Sequence, residues 1–153
     1  MKSYIIDGNN LMGKISSIKK IQNNDKQLAR ERLVILIEQY FNYHKGKVYL
    51  HFDGFQNTPI NLSKRKIIYS EKSKADKTIK EQIEITLNRR NLIVISSDHE
   101  IQNFAGVCSC DVLSSEDFAK ELTSKKIDEE ENRIKAINDV EEFKKLFGSN
   151  LQG

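Results

Sequence analysis

Short apolar strands alternate with helical segments along most of this chain, and that alternation constrains the fold more than any other feature. Tyr4-Ile5-Ile6, Lys47–Phe52, Ile67-Ile68-Tyr69 and Leu92–Ile95 read as strands, with Asp111-Val112-Leu113 as a short fifth. Leu92–Ile95 is continuously apolar, as a strand covered on both faces in the middle of a parallel sheet should be. Asp25 is placed to cap a helix running to about His44, with Leu28, Leu33, Leu36, Ile37, Tyr40 and Phe41 at mostly helical spacing. Ser73 or Lys74 opens another helix, carrying Ile79, Ile83 and Leu87. Asp98 starts one that runs to about Phe104, and Ser114 with Asp117 forms a capping pair for one that runs through Leu122. Residues 13–24 read as a polar, lysine-bearing loop. Strands and helices in this order build βαβ units, a mostly parallel sheet and right-handed crossovers.

A chain of 153 residues can bury a core without disulfides or a structural metal. No internal repeat or linker is visible. The expected division is a main domain over residues 1–123 and an appended helical tail over residues 124–153. In the tail, Asp139 is placed to cap a helix with Val140, Phe143, Leu146 and Phe147, and Ile127, Ile134 and Ile137 form a stripe expected to pack on the chain's own domain. No apolar run approaches the ~20 residues of a membrane span. The opening residues lack the features of a signal peptide, so the expected location is cytoplasmic. Cys108 and Cys110 are too close together for a standard zinc site and read as small packing residues.

Ligands of open α/β sheets bind outside the carboxyl ends of the strands. Here Asp7 follows the first strand, Asp53 the second and Asp98 the fourth, while Asp76 begins the helix after the third. Each has an ordinary role when taken singly: Asp53-Gly54 is turn chemistry, Asp76 and Asp98 suit helix caps or first turns, and Asp7 suits an Asx-turn. Together, four carboxylates on one edge repel and raise each other's pKa, which no fold gathers for stability. A hard divalent cation, Mg²⁺ or Mn²⁺, resolves that conflict. Asn9 and Asn10 add amides beside Asp7 that can orient an acid, hold a water or serve the turn itself.

Tyr4-Ile5-Ile6-Asp7-Gly8-Asn9-Asn10-Leu11 resembles the opening of the NYN-domain ribonucleases of the PIN-like nuclease superfamily, and most of all their bacterial YacP-like branch. Phe52-Asp53-Gly54, Lys74-Ala75-Asp76-Lys77 and Val94-Ile95-Ser96-Ser97-Asp98 match the later motifs of that branch in order and spacing, as far as about Leu122. The resemblance implies an α/β, PIN-like three-layer fold and metal-dependent endoribonuclease activity. It implies an acidic metal site of Asp7, Asp53, Asp76 and Asp98, with Asn9, Asn10 and Ser97 as secondary polar contacts. His99-Glu100 follows Asp98 with no role supplied by the resemblance.

The charge distribution agrees with an RNA partner. The net charge is only +3, from 25 basic and 22 acidic residues. Lys64, Arg65, Lys66, Lys72, Lys74, Lys77 and Lys80 nevertheless crowd one stretch, where they can face a phosphate backbone or simply be a solvated surface. Tyr69 and Phe55 can stack unpaired bases, though packing within the protein is the commoner role. The expected partner is RNA of any class (messenger, transfer or ribosomal), free or held on a ribosome. Of the histidines, only His99 lies beside a candidate acid, so a two-histidine mechanism has little support. There is no glycine-rich dinucleotide fingerprint or P-loop. The alternative to an enzyme is a noncatalytic RNA- or ribosome-binding module of the same fold, and a protein adaptor using the tail is a weaker one.

Overall fold

The computed structural model describes residues 1–62 and 65–124. The fold over Met1–Leu122 is built on five parallel strands: β1 Ser3–Asp7, β2 Lys47–Phe52, β3 Lys66–Tyr69, β4 Leu92–Ile95 and β5 Asp111–Leu113, in the order β3-β2-β1-β4-β5. Six α-helices accompany them: α1 Gly8–Met12, α2 Ser16–Gln22, α3 Lys26–Phe41, α4 Ala75–Ile85, α5 His99–Val107 and α6 Ser115–Leu122. The strand order reverses between β1 and β4, and at such a point an open α/β sheet forms its crevice.

Alternation along each strand assigns its side chains to two faces. On one face Ile5, Leu92 and Val94 pack with Ile79 and Ile83 of α4 and with Ile101 and Ala105 of α5, and Cys110 joins them while half-buried Cys108 packs against the cluster. On the other, Tyr4 meets Phe41 of α3 edge to face at 4.9 Å, and Tyr40 meets Phe118 of α6 at 5.2 Å. The result is a three-layer α/β sandwich. Among the described residues no helix is long and apolar enough to cross a membrane.

Three expectations about local structure change. Helix α4 ends at Ile85, so Leu87 lies beyond it and is fully exposed. Residues 16–22 form a helix rather than a loop, because Ile15 and Ile18 are buried while Lys19 and Lys20 face solvent. Gly8–Met12 is a helical turn starting directly at the end of β1, with Leu11 and Met12 buried. This abrupt start needs Gly8: a Cβ there would lie 2.6 Å from the His51 carbonyl and 2.7 Å from the Phe52 ring. Elsewhere the caps form as read. The Asp25 side chain accepts from the Leu28 N–H at 3.0 Å, and the Ser114 hydroxyl oxygen from the Asp117 N–H at 3.1 Å. The helices expected after Ser124 lie outside the described residues.

Candidate active site at the carboxyl edge of the sheet

Asp7 ends β1, and one step past the last paired residues of β1 and β4, Ile6 and Ile95, stands Ser96. The Ser96 hydroxyl is fully buried and donates to Asp7 Oδ2 at 2.9 Å, while its oxygen accepts from the Asp98 N–H at 3.1 Å. Asp7 is 7% exposed, and its pKa is raised to about 6. Burial is the main cause. The Ser96 hydroxyl and the Asn10 backbone N–H pull it down, and Asp53 and Asp98 push it up. Repulsion between acids, the cause expected from the sequence, is therefore secondary to desolvation.

The other aspartates serve helix ends. Asp53 Oδ1 accepts from the Ala75 N–H at 2.6 Å, at the first residue of α4. Asp76 Oδ1 accepts from the Lys77 N–H at 2.9 Å. Asp98 caps α5, accepting from Glu100 at 2.9 Å and Ile101 at 3.2 Å. The Asp53 and Asp98 bonds satisfy orphan amides at the positive ends of α4 and α5, where a carboxylate is also favoured electrostatically, whereas the Lys77 N–H is shared with the Lys74 carbonyl at 3.1 Å. So the ordinary capping roles are real, and they hold the acids at the crevice. Asp53 and Asp98 are both close enough to act on Asp7, and Asp76 and Asp98 on Lys80. Among the described residues, however, no three His, Cys, Asp or Glu side chains are grouped closely enough to enclose a metal ion. The donors suit a hard cation in kind, being carboxylates with hydroxyl and amide groups between them.

Asn9 and Asn10 hold this edge together. β1 lies between β2 and β4, and the two amides reach to opposite neighbours. Asn9 Oδ1 accepts from the Asp53 N–H at 2.9 Å, and Asn10 Oδ1 accepts from the Ser97 N–H at 3.0 Å. Each fixes the backbone of a segment bearing a candidate acid. Ser97 turns away toward α6, where its hydroxyl bonds Glu116 and accepts from the Ser115 N–H at 2.9 Å. Glu116 also pairs with Lys14 at 2.9 Å, and these partners lower its pKa.

Ser96, Arg30 and Glu116 carry no signal of their own in the sequence, and neither does the pairing of Lys80 with Glu100 at 2.7 Å. Arg30 of α3 is only 5% exposed, and its guanidinium donates to the carbonyls of Asp53 at 2.6 Å and Phe55 at 2.9 Å. The pairing register of β1 with β4 is the signal that puts Ser96 opposite Asp7.

The basic residues divide. Lys72, Lys74 and Lys77 are exposed around the start of α4. Arg65 is instead spent within the fold, bonded to Glu38 at 2.7 Å with its guanidinium over the Phe41 ring. Lys66, at the start of β3, lines a groove of about 770 Å³ between the sheet and α4 together with Lys47, Tyr49 and Gln82. Lys64 lies outside the described residues. His51, buried in β2 between Thr78 and Gln82, has its pKa lowered by burial to about 4. His44 stacks on Tyr40 at 4.0 Å and His99 is exposed on α5, so the histidines sit on different elements.

The fold is similar to that in two crystal structures. One is of Rae1 (YacP) from Bacillus subtilis, with a TM-score of 0.79 and 19% identity over 99% of this chain and 91% of that one. The other is of a mutant of the same Bacillus subtilis protein, with a TM-score of 0.74 and 21% identity over 91% of this chain and 85% of that one. At these identities the likeness is one of fold. No curated protein sequence matches the chain. The family model of the YacP-like NYN domain matches residues 4–151, running beyond Leu122, where the resemblance read from the motifs ends. With that model spanning nearly its whole length, the chain belongs to the YacP-like NYN domain family, a nuclease-like family related to RNA.

Proposed function

We propose that the protein is a metal-dependent endoribonuclease, hydrolysing RNA phosphodiester bonds at the carboxyl edge of the sheet. The observation that carries this reading is Asp7: a carboxylate buried at the strand-order reversal, costly to ionise, with Asp53 and Asp98 acting on it. Asp7, Asp53, Asp76 and Asp98 would hold Mg²⁺ or Mn²⁺. Bound there, such an ion supplies a water of lowered pKa and offsets charge on the phosphodiester. Ser96 holds Asp7 in its charged form by donating to it. Asn9 and Asn10 fix the segments that carry Asp53 and Asp98. Lys72, Lys74 and Lys77 draw the RNA backbone toward the edge. No side chain is needed as nucleophile.

One observation favours a second reading, a noncatalytic RNA-binding module: Asp53, Asp76 and Asp98 each spend Oδ1 on a backbone amide, and no three acids enclose a cation among the described residues. The two readings part in an assay of a mixed-structure RNA with the purified protein, in Mg²⁺ or Mn²⁺ and in EDTA. The nuclease reading expects internal cuts that need the metal and fall by about 100-fold or more in Asp7→Asn and Asp76→Asn. RNA binding without cleavage, unchanged in both variants, supports the module.

A further inference from the structure

We propose that Phe55 is a platform on which an unpaired RNA base stacks beside the scissile phosphate, and that Arg30 holds it there. The inference rests on the reading of this edge as an RNA site. Phe55 is 56% exposed, yet the loop that carries it is bonded to α3 and to the turn after β3. Arg30 bonds the carbonyls of Asp53 and Phe55. The Gly54 N–H donates to Ser70 Oγ at 3.0 Å, and its carbonyl accepts from the Glu71 N–H at 2.8 Å. Gln27 of α3 donates to the Thr58 carbonyl at 3.1 Å. Gly54 takes φ +85°, a conformation that only glycine adopts readily, and the chain bends there between Asp53 and Phe55.

Arg30 explains why the ring stays out. A nearly buried guanidinium with no carboxylate partner among these bonds is costly unless its donors are satisfied. Here loop carbonyls satisfy them, and the rings of Phe52 and Tyr69 lie 5.2 and 5.3 Å from its carbon. Moving Phe55 inward would take its carbonyl off the guanidinium. Tyr69, the other aromatic candidate, is a packing residue, half-buried with its ring 6.0 Å from Phe52.

The surroundings favour a nucleic acid as the occupant. The turn packed on this loop through the Glu71–Gly54 and Ala75–Asp53 bonds carries Lys72 and Lys74, both exposed. Glu71 is the one acid in that turn. Cations for the phosphates and an exposed aromatic side chain for a base are the parts of a single-strand site, and Asp53 two residues away puts it beside the acidic edge.

The chain has no tryptophan, so Phe55→Trp in the full chain places one fluorophore at the platform. Titration in EDTA with a single-stranded oligoribonucleotide is expected to quench it saturably, and a duplex of the same sequence to leave it nearly unchanged. Phe55→Ala and Phe55→Leu are expected to weaken single-strand binding by about 5- to 150-fold and to raise KM by a similar factor, with melting temperatures unchanged. Leucine keeps apolar bulk and loses the ring, so wild-type affinity in Phe55→Leu overturns stacking. Fluorescence indifferent to single-stranded RNA, or equal quenching by the duplex, also overturns it, and indifference is what a protein-docking role for the ring would give. Quenching in a protein that never cuts RNA keeps the platform and removes the nuclease reading. Metal-dependent cutting that is the same in Phe55→Ala does the reverse.

Discussion

Asp7 is 7% exposed, and burial more than any neighbouring charge lifts its pKa to about 6 from 3.8. Below about pH 3.8 the acid is protonated in the folded and unfolded chain alike, and the fold carries no cost of ionising it. As the pH rises through about 6 that advantage is lost, and above it the folded state bears the full difference, roughly 3 kcal/mol for a shift of this size. Asp7→Asn is therefore expected to raise the melting temperature at pH 7.5 in EDTA, with the gain gone by pH 3.5. Thermal melts at the two pH values check this; a variant less stable than wild type at pH 7.5 contradicts it. Ser96 acts in the opposite sense, since its hydroxyl favours the charged acid. Ser96→Ala is expected to move the acidic limb of the pH–activity profile upward, because Asp7 then ionises later. An unmoved limb would reduce Ser96 to a packing residue.

At the scale of elements, the β1–α1 junction organises the site. α1 starts with no intervening loop, which brings Asn9 and Asn10 over the ends of β2 and β4. Gly8→Ala forces a methyl group against the His51 carbonyl and the Phe52 ring. It is expected to cost about 1–3 kcal/mol, read by chemical denaturation, and to displace Asn9 from Asp53. The aspartates and asparagines of this junction were visible in the sequence as polar residues after an apolar strand. Their division of labour was not, because it depends on which strands flank β1. Residues 16–22 carry little helical signal for a related reason: a short lysine-rich helix has little pattern of its own, and the burial of Ile15 and Ile18 decides it. Arg30 carries no signal in the sequence, because a charged residue on a helix is ordinarily solvated. Only carbonyls 23 and 25 residues away make it a buried one.

Across the whole molecule, the strand–helix alternation was enough to read the parallel sheet, since few topologies satisfy it with right-handed crossovers. Four strand-end or helix-start acids could then be placed on one edge, where the structure has them. The cations were less legible. A run of lysines and arginines in sequence is split by the fold between the carboxyl edge (Lys72, Lys74, Lys77), an internal ion pair (Arg65) and a groove (Lys66). A metal-dependent nuclease needs the acidic edge to be a cation site. The most direct test is a titration of the protein with Mn²⁺, followed by the electron paramagnetic resonance signal of the free ion. Saturable binding by the wild-type chain at pH 7.5, lost in Asp7→Asn and weakened below about pH 6 as Asp7 takes up its proton, is the predicted result. No binding at millimolar Mn²⁺, or equal binding by Asp7→Asn, would contradict it.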